Sequence, residues 1–151
     1  MEQTKKRNKS KTKYNIEDSG LDSLRIQRVE NYIKYKKAKI SDIKTIVSSS
    51  RMYPDDYAYL VNITIDMLTE QRNYWGFAHD LSITYTACVR IDNDVEEAAI
   101  QSVLNKSVPI ELYDKIASII YTTTEAAGCK LTSLSEQKFA KSIIDMGIQW
   151  N

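Results

Sequence analysis

The chain has 151 residues, 42% of them apolar, enough for a single domain with its own core. Four glycines and two prolines leave little turn chemistry for an all-β design or for a glycine-rich phosphate loop, and one histidine excludes multi-histidine metal sites. The net charge of +1 conceals a division: residues 1–50 hold 13 Lys/Arg against 6 Asp/Glu, residues 51–151 hold 8 against 14.

Residues 1–20 read as a basic, flexible arm carrying Lys5, Lys6, Arg7, Lys9, Lys11 and Lys13. They offer almost no apolar side chains to offset the entropy of ordering. No apolar run follows the charges, and no segment reaches the roughly 20 apolar residues of a bilayer span. The expectation is a cytoplasmic protein without a membrane contact. Cys88 and Cys129 are spaced for neither a disulfide framework nor a zinc knuckle, and read as reduced thiols, Cys88 within the core.

Residues 21–151 are expected to form an all-α domain, a compact bundle of five or six helices. The first helix spans about 22–49, with Ile26, Val29, Ile33, Lys36, Ile40, Ile43 and Val47 at three- and four-residue steps. A second runs from Pro54, suited to a first turn, to Gly76, with Tyr57, Leu60, Val61, Met67, Leu68 and Trp75 on one face. Residues 77–92 alternate Leu81, Ile83, Tyr85, Ala87, Val89 and Ile91 with polar neighbours, the pattern of a strand. A lone strand has nothing to pair with, so a helix is expected there unless another chain completes a sheet.

Asp94 and Glu97 resemble a capping box for a helix reaching Leu104. The next begins at Ser107-Val108-Pro109, carries Leu112, Tyr113, Ile116, Ile119 and Ile120, and stops at Gly128. The last opens on the box Ser133…Glu136, presents Phe139, Ile143 and Met146, and ends at Gly147. Lys138 and Lys141 are balanced there by Glu136 and Asp145, which favours packing over reading a DNA groove.

Chemistry is largely excluded. His79-Asp80 resembles the core of a metal-dependent phosphohydrolase motif, but the further histidines are missing. Asp92-Asn93-Asp94 begins like a calcium loop but has Glu97 and Val103 where Gly and Glu are required. No catalytic residue, metal or cofactor is expected, and the protein does not read as an enzyme.

The leading expectation is non-catalytic association with DNA or RNA, in a phage or another mobile element. At about 100° per residue, Arg25, Arg28, Tyr32, Lys36 and Lys39 would share one face of the first helix, with Tyr35 beside them. The cations would neutralise phosphates and the tyrosines stack on bases, with the arm extending the footprint. The alternative is a structural or adaptor subunit whose basic arm docks on an acidic protein, or on another copy of the chain in a homo-oligomer.

Overall fold

Tyr59, Val61, Ile63, Ile65 and Met67 are buried, while Leu60, Asn62, Thr64 and Asp66 between them are not. That period of two builds the central strand of a mixed α/β fold. A computed structural model describes residues 14–29, 43–53, 57–69, 78–127 and 134–149. Its five strands are β1 (Tyr14–Val29), β2 (Ile43–Arg51), β3 (Ala58–Thr69), β4 (Ala78–Ile91) and β5 (Ile143–Gln149). They lie in the order β1-β4-β3-β2-β5. All neighbours are antiparallel except β2 and β5, which are parallel.

The all-α bundle is therefore corrected. The expected helix 22–49 is replaced at its two ends by β1 and β2, and the segment between them lies outside the described residues. The expected helix from Pro54 to Gly76 contains β3. Its helical face passed over Ile63 and Ile65, both fully buried. The alternation at 81–91 is a strand after all, and its partners are within the chain: β3 on one side, β1 on the other. β1 also takes in Tyr14–Gly20, which were assigned to the arm.

Helices cover one face of the sheet. α1 (Glu97–Ser102) continues through a π-helical turn (Val103–Ser107) into α2 (Val108–Glu111). After a break at Leu112 follow α3 (Tyr113–Ala126) and α4 (Glu136–Ser142). Ile100, Leu104, Val108, Leu112, Ile116 and Ile120 are all buried and recur every four residues. In an unbroken α-helix that spacing would drift by about 40° per step. The wider π turn and the break at Leu112 take up the surplus, so one stripe faces the sheet throughout.

Helix starts differ in detail from the sequence. α1 has Glu96 at its N-cap with no side-chain cap, and Asp94 sits in the preceding turn. The helix does not restart at Ser107. The true cap of α4 is Ser135, whose hydroxyl accepts from Lys138 N at 3.0 Å. α4 stops at Ser142, and Ile143 and Met146 belong to β5. Tyr113 donates to the Leu134 carbonyl and packs on Phe139 with ring centroids 5.8 Å apart, which seats α4 against α3.

Candidate functional site: the β2 and β5 margin of the sheet

The two edges of the sheet are built differently. β1 carries two bulges, near Glu17 and Asp22, and exposes the charges Glu17, Asp18, Asp22 and Arg25. Bulges and charges are the usual protection against edge pairing. Glu17 is paired with Arg90 on the neighbouring strand at 3.2 Å. β5, at the other edge, has a single charged residue, Asp145, and that carboxylate is turned into a hydrogen-bonded cluster.

The cluster centres on Asn105 in the π-helical turn, which is 0% exposed. Its Nδ2 donates to Asp145 Oδ1 at 2.6 Å and to the Gly147 carbonyl at 2.9 Å. Its Oδ1 accepts from the buried Ser49 hydroxyl of β2. Asp145 Oδ1 also accepts from Gly147 N at 2.8 Å, and Oδ2 from Gln101 Nε2 at 3.1 Å. Partial burial pushes the Asp145 carboxyl up. The bonds from Asn105, Gly147 and Gln101, with the charge of Lys106, outweigh it and hold the group below the ordinary carboxylate range. A buried amide with both its donors and its oxygen engaged is a stable arrangement.

Apart from this cluster, β5 is held lightly. None of its seven residues is fully buried; Ile143 and Ile148 are half-buried, while Ile144 and Met146 are 42% and 62% exposed. Its pairing with β2 is interrupted between Val47 and Ser49, where β5 spends one extra residue at Gly147, whose φ is +86°. β2 itself is regular, pairing with β3 over nine residues without a shift. A cleft of about 240 Å³ opens at the bulge, lined by Ser48–Ser50, Asn62 and Met146–Gln149. That is below the usual range of small-molecule pockets and closer to the size of one side chain.

β2 leads directly into a second exposed group. Met52 and Tyr53 are 41% and 59% exposed, and Tyr57 stands beside them under the Arg51 guanidinium, 5.7 Å from its ring centroid. Ser50 pairs with Gln149, so this group continues the line of Ile144 and Met146 along one margin. Tyr57, expected on a helix face, is an exposed residue before β3. Cys88, expected in the core, is half-buried on the sheet face away from the helices.

The residues first assigned to nucleic acid are not assembled by this fold. Lys5, Lys6, Arg7, Lys9, Lys11, Lys13, Tyr32, Tyr35, Lys36 and Lys39 lie outside the described residues. Arg25 and Arg28 are in the strand β1, in register with Ser82 and His79, and not on a helix. The shared helical face that joined them does not exist. Sequence reasoning missed Asn105, Asp145, Met52 and Tyr53. Nothing in the sequence singles out Asn105, which stands with Lys106 and Ser107 between Leu104 and Val108; only the fold buries it. Among the described residues, no three His, Cys, Asp or Glu side chains converge as metal ligands, and no helix is long and apolar enough to cross a membrane.

No family model matches the chain, and no curated protein matches it in sequence. Solved structures share its fold. It is similar to the Mycobacterium tuberculosis SecB-like chaperone Rv1957, solved in complex with a ChAD peptide from the antitoxin HigA1, with a TM-score of 0.62 and 12% identity over 89% of this chain and 93% of that one. A Streptococcus agalactiae protein of unknown function gives a TM-score of 0.52 at 8% identity, over 82% and 98%. At such identities the likeness establishes the fold alone, a mixed α/β sheet similar to that of the SecB-like chaperone.

Proposed function

We propose that this protein is a non-catalytic, chaperone-like adaptor that holds an extended apolar segment of another polypeptide along the β2 margin of its sheet. The observation that carries this reading is the margin itself: Met52, Tyr53 and Tyr57 exposed together at the end of a regular strand, beside an edge strand whose one charged residue, the exposed Asp145, is engaged by Asn105. Met adapts its shape to varied partners, and Tyr offers a large contact area at low entropic cost. The similar fold of a chaperone solved with a peptide supports the same choice, and favours a protein partner over DNA or RNA.

The test is fluorescence anisotropy with labelled, reduced and carboxymethylated α-lactalbumin, a permanently unfolded chain. Saturable binding that changes little between about 50 and 200 mM salt is expected, since apolar contacts are not governed by counterion release. Met52→Lys with Tyr53→Lys should weaken it about tenfold or more, because a charge then enters the contact. Failure to bind the unfolded chain, together with salt-sensitive retention of DNA or RNA, would return the assignment to nucleic acid.

A further inference from the structure

We infer that β5 is a detachable strand, an occupant from within the chain that covers the β2 edge until an extended client segment replaces it. This deepens the proposed function and rests on it for the identity of the client.

Three independent features of the fold lead there. The first is mismatch. β2 presents nine residues in unbroken register with β3, yet β5 must spend an extra residue to follow it and pairs in parallel, the slightly weaker geometry. A client segment without a bulge would pair with β2 more completely. The second is burial. The inward-facing residues of β2, Thr45, Val47 and Ser49, are fully buried, whereas β5 contributes no fully buried residue. Its apolar contribution to the core is limited to Ile143 and Ile148, both only half-buried, so releasing β5 uncovers their contacts but removes no fully buried side chain. The third is the concentration of its attachment. Asn105 reaches Ser49 of β2 and both Asp145 and Gly147 of β5, so besides the backbone pairing with β2 the strand is fastened by a small cluster of side chains, Asn105 with Gln101. Segments with few buried apolar contacts open locally, below the free energy of global unfolding.

The exchange is one of equivalent bonds. Backbone N–H and C=O groups of β2 that pair with β5 would pair with the client, and β5 would pass into water. A client lying along β2 would run onto Met52 and Tyr53. The closed form lowers apparent affinity by the fraction of molecules in which β5 is docked.

The experiment has two readouts. In the free protein, hydrogen exchange at Ile143–Gln149 should be at least about tenfold faster than at β3 and β4. Equal protection across the sheet would overturn the inference without touching the proposed function. The second uses a reversible lock. Ile46 and Ile144 are register partners on the sheet face away from the helices. Neighbouring strands stand about 4.8 Å apart, within the range a disulfide spans.

Ile46→Cys with Ile144→Cys, in a Cys88→Ser, Cys129→Ser background, should bind carboxymethylated α-lactalbumin when reduced and lose about tenfold or more in affinity when oxidised. Asn105→Ser should move the other way, binding the unfolded chain more tightly although the fold is less stable. A purely structural role for Asn105 would weaken both. Equal binding by the oxidised and reduced forms would overturn the detachment. Loss of binding in every form, wild type included, would defeat the proposed function, while the exchange readout would still decide whether β5 opens by itself.

Discussion

Asn105 Nδ2 lies 2.6 Å from Asp145 Oδ1, and this pair joins the π-helical turn to the last described strand. A charge-assisted bond from a fully buried amide is among the stronger side-chain interactions in the fold. Asn105→Ala would leave the Ser49 hydroxyl and the Gly147 carbonyl without this partner. The expected cost is about 1–3 kcal/mol, read as a lower urea midpoint with an unchanged denaturant slope. Asn105→Asp should cost more at neutral pH, since it sets a second carboxylate against Asp145, and should recover as the pH is lowered.

The same carboxylate gives the fold a defined acid sensitivity. Burial raises Asp145, but its hydrogen bonds and Lys106 lower it further, so its folded value lies below the ordinary 3.8. A depressed carboxyl contributes stability that is complete above the unfolded value and is lost as the pH falls through the folded one. Asp145→Asn should remove that dependence, so the difference in stability between wild type and variant should shrink as the pH drops below about 4. Chemical denaturation at a series of acid pH values measures it.

Gly147 makes a separate prediction about the bulge. Its φ of +86° favours glycine, and a Cβ built there would meet nothing within 4 Å. The penalty of a substitution is therefore one of backbone conformation, about 1–2 kcal/mol for alanine. Asn, which tolerates positive φ, should cost less than Ala, and Val more than either. Thermal unfolding of the three variants checks the order, and exchange at Ile143–Gln149 should accelerate in the same sequence.

At the opposite edge, the Tyr14 phenol donates to Glu111 Oε1 at 2.6 Å, tying the start of β1 to α2. Burial, then the bond to Glu111 and its charge, raise Tyr14 well above the ordinary 10.0. A raised value means stability that is complete below the unfolded pKa and lost as the pH rises through the folded one. Tyr14→Phe should thus cost about 0.5–1.5 kcal/mol near neutrality, a difference that fades in strong alkali. Tyrosinate absorbance should show one phenol fewer among the late-titrating groups of the variant.

How much of this was legible in the sequence depended on the element. The stripe of Leu112, Ile116 and Ile120 was read correctly, because a helix packed on one face repeats regularly. β4 was visible as an alternation and set aside for want of a partner; its partners were hidden by the misreading of β1 and β3. β3 was misread by accepting Leu60 and Leu68 as a helical face, although Ile63 and Ile65 break that face and complete a period of two. β1 is the instructive case. Its helix-side positions are Tyr14, Ile16, Ser19, Leu21, Leu24 and Ile26, because two bulges each insert a residue. Steps of two and three then imitate neither template, and the part near Ile26 resembles helical spacing. The adaptor alternative was within reach of composition, but the margin that supports it was not. Met52 and Tyr53 precede a proline and signal only a turn, and Asp145 looks like an ordinary surface charge until Asn105 is folded beneath it.

The parallel pairing of β2 with β5 also bears on how the chain is made. Thr45 and Ser142, hydrogen-bonded at 2.7 Å where that pairing begins, stand 97 residues apart. Synthesis proceeds from the N-terminus at about 5–20 residues per second, so β2, β3 and β4 emerge several seconds before their last neighbour. Throughout that interval a nascent molecule has no β5 to cover the β2 edge, the same open edge that client binding is proposed to use.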